Sequence, residues 1–120
     1  MTAMSPLFIQ HRAPYHGHLA LEMLDALLVS AAFGQQPTVL FQGDGLWQLV
    51  GPQEPSGLGV KSLAAQLEAL PLYDVERILV DEDSLTERGL CTEQLSLPVR
   101  VVSRRELRQL LMTHFPVLRF

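Results

Sequence analysis

The chain has 120 residues, 48% of them apolar and 18% charged, an ordinary globular usage that excludes intrinsic disorder and a fibrous architecture. Thirteen acidic residues against nine basic ones give a formal charge of −4, the wrong sign for a protein that grips RNA or DNA by neutralising phosphates. The single cysteine, Cys91, excludes an internal disulfide, and no Cys/His grouping has zinc-site spacing, so a reducing compartment is expected.

Residues 1–10 lack the charged start and long apolar stretch of a signal peptide. Within them, residues 6–10 form a short apolar run that reads as a buried strand, and residues 38–42, with Val39, Leu40 and Phe41, repeat the type. Between the two, Ala20, Met23, Leu24, Leu27, Leu28 and Ala31 follow helical spacing, and Gly34 is placed to end the helix. Glu22 and Asp25 interrupt this segment, residues 19–33, so it does not read as a membrane span. A helix of this length is the usual link between parallel neighbours, so a βαβ unit is expected.

Gly43-Asp44-Gly45 reads as a tight turn into a short helix at residues 46–50, with Asp44 as its cap. Residues 53–59 hold Pro55, Ser56, Gly57 and Gly59 and read as a flexible loop, too short to separate domains. Leu63, Ala64, Leu67 and Leu70 then share one helical face, and Pro71 stops it. Residues 75–80 read as a third strand without strict alternation, as suits a strand covered on both faces. Ser84-Leu85-Thr86-Glu87 and Ser103-Arg104-Arg105-Glu106 both have capping-box spacing; Gly89 closes the first helix, and Leu107, Leu110, Leu111 and His114 share a face of the second. Strands at residues 99–102 and 117–120 complete the count. The expectation is one domain over residues 1–120, an α/β three-layer sandwich with an about five-stranded, mostly parallel sheet of flavodoxin-like type.

Four places compete for function. Cys91 could be a sulfur nucleophile, but it lies past a helix C-terminus whose partial negative charge opposes a thiolate, with only Arg88 nearby in sequence; a structural cysteine is the plainer reading. Asp81-Glu82-Asp83 ends the third strand, where open α/β sheets place ligand crevices, and could hold Mg²⁺. Gln10-His11-Arg12 stands where such a site wants further carboxylates, so a solvated helix start is expected. His11, His16 and His18 are close in sequence with nothing to fix a metal geometry, and no metal or cofactor is expected. Leu46, Trp47, Leu49 and Val50 put apolar surface beside a loop, where core packing and a partner surface fit equally well. Leu21, Val29 and Phe33 lie outside the main stripe of their helix and join them as candidate subunit contacts.

Several segments, taken in order, resemble the DsrE/DsrF-like sulfur-relay family, most closely its TusC (DsrF-type) branch. They are Leu24-Asp25-Ala26-Leu27-Leu28, Gly43-Asp44-Gly45-Leu46-Trp47-Gln48-Leu49, Leu72-Tyr73-Asp74-Val75-Glu76, Ser84-Leu85-Thr86-Glu87-Arg88-Gly89-Leu90 and Val117-Leu118-Arg119-Phe120. The resemblance implies the DsrEF-like fold and a cytoplasmic heterohexamer with TusB-like and TusD-like subunits. That complex hands persulfide sulfur to a TusE-like acceptor for 2-thiolation of the tRNA wobble uridine. It implies further that the sulfur-bearing cysteine belongs to the TusD-like chain, near the end of the strand matching residues 75–80. This chain has Asp81-Glu82-Asp83 there, so no catalytic role passes to it and a structural or docking role is expected. Two alternatives stay open: a DsrF-type subunit of a DsrEFH sulfur-oxidation complex, and a thiol-active sulfur acceptor using Cys91.

Overall fold

The computed structural model describes residues 5–12, 19–50 and 67–120, with the side chains of residues 19–21 left aside. Five short strands form the sheet: β1 (Leu7–Gln10), β2 (Thr38–Phe41), β3 (Arg77–Asp81), β4 (Arg100–Val102) and β5 (Val117–Arg119). They lie in the order β4-β3-β2-β1-β5, and every neighbouring pair is parallel. The α/β parallel architecture is the expected one, with its strands in a different sequence from the 2-1-3-4-5 of flavodoxin.

The apolar runs explain the three central strands. β1 and β2 are buried at all four positions, and β3 at all but its first, because helices or turns cover the sheet on both faces. Alternation sorts these side chains into two cores. Phe8, Val39, Phe41, Ile78 and Val80 face α1 (Leu19–Ala32) through Met23, Leu24 and Leu27, together with Leu46, Leu49, Leu67, Leu70 and Leu85. Leu7, Ile9, Leu40, Leu79 and Val102 face the other way, onto Leu107 and Leu110 of α3 (Arg104–Thr113).

Topology makes the two faces unequal. Three successive crossovers step from β1 to β4 in one direction, and right-handedness puts them on one side; the return from β4 to β5 crosses to the other. One side therefore carries α1, the 3₁₀ turns Gly43–Leu49 and Leu70–Tyr73, and α2 (Glu82–Glu87), while among the described elements α3 alone covers the other.

Capping separates the two boxes read from sequence. Ser103 Oγ accepts from the Glu106 N–H at 3.2 Å while Glu106 Oε1 accepts from the Ser103 N–H at 3.3 Å, so the second box forms. The first does not: α2 starts at Glu82, which makes Ser84 part of its first turn, not its cap. Its C-terminal end is as expected. Gly89 takes φ +63°, its N–H meets the Thr86 carbonyl, and the Leu90 N–H returns to Leu85, the hydrogen-bond pattern that closes a helix on a left-handed glycine. On α3, Leu107 and Leu110 pack inward and His114 Nε2 lies 3.2 Å from Thr38 Oγ1, but Leu111 is exposed, one step beyond the buried stripe. Of the expected helix over residues 60–70, Leu67 and Glu68 are helical, Ala69 is in a turn and Leu70 opens the 3₁₀ turn Leu70–Tyr73; residues 60–66, and the loop at residues 53–59, lie outside the described residues. No described helix is long and apolar enough to cross a membrane.

Candidate functional site

In a parallel sheet the carboxyl ends of the strands gather the loops, and here they gather the polar residues. β3 ends in Asp81, which is buried although it is a carboxylate. Its Oδ2 accepts a hydrogen bond from Ser84 Oγ at 2.6 Å, a short, charge-assisted contact. The same Ser84 oxygen accepts from the Gly43 N–H at 2.9 Å. One hydroxyl thus ties the tip of β3 to the turn that follows β2, which is why it is not spent on a helix cap.

Arg88 completes the tie from the end of α2. Its guanidinium donates to Asp44 Oδ1 at 3.0 Å and to the Ser84 carbonyl at 3.2 Å. Asp44 is therefore the acceptor for an arginine, not the cap of the turn Gly43–Leu49, which has no side-chain cap. Gly45 sits against β1 so closely that a Cβ there would overlap the Gln10 carbonyl oxygen.

Two buried glutamines shape the end of β1, and sequence reasoning missed both. Gln10 Oε1 accepts from the Arg12 N–H at 3.3 Å, and Gln48 Nε2 donates to the Arg12 carbonyl at 2.8 Å, so Arg12 is held by its main chain. Gln10 Nε2, Gln48 Oε1 and the Nε atoms of Arg12 and Arg88 are buried with no hydrogen-bond partner among the described residues. The signal was faint: a glutamine closing an apolar strand, and another between Trp47 and Leu49, look like surface residues until the sheet buries them.

The structure separates the other candidates. Cys91 is exposed and precedes the 3₁₀ turn Thr92–Gln94, its N–H bonded to Gln94 Oε1 at 2.8 Å. Arg88, the cation beside it in sequence, is committed to Asp44 and Ser84 and so does not serve the thiol. His11 is half-buried; His16 and His18 lie outside the described residues, and no group of three possible metal ligands occurs among those described. Asp83 bonds Arg104 at 2.9 Å across to the start of α3, and Glu82 is exposed, so the three acidic residues do not converge.

Among the apolar candidates, Leu46 and Leu49 turn into the chain's own core and are fully buried, because the Leu49 carbonyl accepts from Ser96 and Val50 bridges to Leu95, pinning the turn down. Of the two readings open for residues 46–50, Leu46 and Leu49 take core packing and so drop out of the candidate subunit contacts. Val50 is half-buried and Trp47 is 37% exposed. Val29 and Phe33 stand out from α1 at 56% and 80% exposure, and the Leu21 side chain lies outside the description.

Comparison with known proteins supplies the family. The model of the DsrE/DsrF-like family matches residues 4–120. The chain belongs to that family. A TusC homolog from Pseudomonas aeruginosa is 40% identical over 116 residues, 97% of this chain and 98% of its own length. Another from Vibrio parahaemolyticus is 38% identical over 107 residues, 88% of this chain and 91% of its own. The intracellular sulfur oxidation protein DsrF of Allochromatium vinosum is 40% identical over 89 residues, 74% of this chain and 65% of its own. Within the DsrE/DsrF-like family the chain thus stands with the TusC (DsrF-type) branch. In fold it is similar to the crystal structure of the ychN protein of E. coli, with a TM-score of 0.83 at 18% identity over 98% of this chain and 99% of that one.

Proposed function

We propose that this DsrE/DsrF-like chain is a non-catalytic, docking subunit of a sulfur-relay complex of TusBCD type. In this reading TusB-like and TusD-like chains join it in a cytoplasmic heterohexamer. The complex passes persulfide sulfur to a TusE-like acceptor for 2-thiolation of the tRNA wobble uridine. The observation that carries the reading is the closed tip of β3. Sulfane sulfur rides on a thiol that solvent and partners can reach, activated by a nearby positive charge. At this tip stands the Asp81 carboxylate, buried and bonded to Ser84, which has no sulfur to extend. The chain's one thiol, Cys91, is elsewhere, and Arg88, the cation next to it in sequence, is committed to Asp44. Likeness to TusC homologs along nearly the whole chain supports the placement.

For subunit contacts the exposed members of the candidate set, Val29, Phe33 and Trp47, are the ones a neighbour can reach. A DsrF-type role in a DsrEFH sulfur-oxidation complex is the second reading, favoured by the likeness to the Allochromatium vinosum protein. Deleting the gene and measuring wobble-uridine thiolation separates the two. Loss of the 2-thio group, restored by either the wild-type chain or Cys91→Ser, is expected; normal thiolation in the deletion strain overturns the tRNA route.

A further inference from the structure

β4 ends the sheet on one side and β5 on the other, and the two edges differ. On β4 Arg100 is bonded to Glu106 and Val102 is buried, whereas β5 is exposed at all three positions although Val117 and Leu118 are apolar. An edge strand presents a row of unpaired N–H and C=O groups, which proteins usually blunt with lysine, proline, a bulge or a covering element. Among the described residues β5 has none of these; its one charge is Arg119.

The hydrogen bonds fix which groups are free. The Leu7 N–H donates to the Pro116 carbonyl, the Phe120 N–H to the Ile9 carbonyl and the His11 N–H to the Phe120 carbonyl. In a parallel ladder alternate residues bond the same neighbour, so Pro116, Leu118 and Phe120 turn their main-chain groups to β1, and Val117 and Arg119 turn theirs outward. Among the described residues nothing bonds those four outward groups. Side chains alternate too. Leu118 is in register with Phe8 on the α1 side, where Phe120 stacks on the Phe8 ring at 6.4 Å; Val117 and Arg119 take the α3 side with Leu7 and Ile9.

This edge is its own complement. A heterohexamer of three kinds of chain in equal number holds two copies of this one, and a two-fold axis relating them makes any contact between them isologous. We infer that the two copies meet at β5, antiparallel, about a two-fold axis through Leu118. Val117 of each copy then lies opposite Arg119 of the other as a hydrogen-bonded pair, and the outward groups of both strands are satisfied together. Leu118 faces its own counterpart as the non-hydrogen-bonded pair, where side chains come closest, and Val117 packs on the aliphatic stem of the opposite Arg119. A register shifted by one residue would set Val117 against Leu118, whose N–H and C=O already serve β1. Three residues are a small contact, below the area that holds a dimer by itself, so it forms within the assembly, where sister chains add theirs. The inference rests on the heterohexamer reading. It is a closed contact and leaves Val29, Phe33 and Trp47 to the sister chains.

The complex purified with its TusB-like and TusD-like chains tests it, with native mass spectrometry giving the copy number. In a Cys91→Ser background, Leu118→Cys places two thiols across the axis at about 4.5 Å between Cα atoms, a separation that a disulfide spans. Oxidised glutathione then converts this chain to a covalent dimer, with a yield that dilution does not lower, while Arg108→Cys, exposed on α3, stays uncrosslinked. Arg119→Pro removes an outward N–H that the single chain does not use; it melts as a folded chain and halves the mass of the complex. A complex with two copies of this chain but no crosslink in Leu118→Cys, or with a crosslink to a sister chain instead, overturns the inference and leaves the heterohexamer standing. So does a folded Arg119→Pro chain in a complex of full mass. A complex with a single copy of this chain overturns both.

Discussion

Replacing Ser84 by alanine removes the hydroxyl that joins the tip of β3 to the turn after β2, and the structure sets the size of the effect. Asp81 Oδ2 loses a 2.6 Å donor and the Gly43 N–H loses its 2.9 Å acceptor. A hydrogen bond to a charged group contributes about 1.5–3 kcal/mol and a neutral one about 1 kcal/mol, and Asp81 is buried, so water replaces the donor poorly. Together they place the loss at about 2–4 kcal/mol. For a chain of 120 residues, unfolding entropy near 2.1 cal/mol/K per residue turns each kcal/mol into about 4 °C, so the melting temperature falls by about 8–16 °C. Urea unfolding by linear extrapolation measures the free energy, and a double-mutant cycle with Asp81→Asn isolates the Ser84–Asp81 term, expected at about 1.5–3 kcal/mol. A Ser84→Ala chain within about 0.5 kcal/mol of wild type, with no measurable coupling, would refute the claim that this carboxylate is a structural tie.

Other outcomes follow from the same coordinates. Gly45→Ala forces a Cβ onto the Gln10 carbonyl of a central strand and costs about 3 kcal/mol or more, whereas Ser103→Ala, which removes one cap, costs about 1 kcal/mol; chemical denaturation ranks the two. Leu46→Ala opens a cavity in the main core and loses about 2–5 kcal/mol, while Phe33→Ser stays within about 0.5 kcal/mol of wild type in the isolated chain; an inverted order would reassign both residues.

The strands were legible because β1, β2 and β3 are buried on both faces and so appear as unbroken apolar runs, with ends within one or two residues of the reading. The Ser103–Glu106 box was legible too, since all its partners lie within one turn. Ser84 was misread for the opposite reason. Its spacing matched a box, but its oxygen is claimed by Asp81 and by Gly43, 41 positions away, and no local rule carries that pairing. Tertiary context also decided Leu46 and Leu49, which turned inward once the segment around Leu95 and Ser96 pinned their turn. Gln10 and Gln48 became visible only when the sheet closed over them, because burial of a polar side chain depends on partners distant in the chain. The carboxylate at the tip of β3 was readable as a residue, but its burial and its tie to Ser84 were not.

The most direct test of the account asks where sulfur goes. The assembled complex is charged with a persulfide donor, trapped with an alkylating reagent, and each chain is mapped by peptide mass spectrometry. The account predicts that Cys91 carries only the alkyl group while the added sulfur atom is found on a sister chain. Alkylated persulfide on Cys91, with relay activity lost in Cys91→Ser, would contradict it.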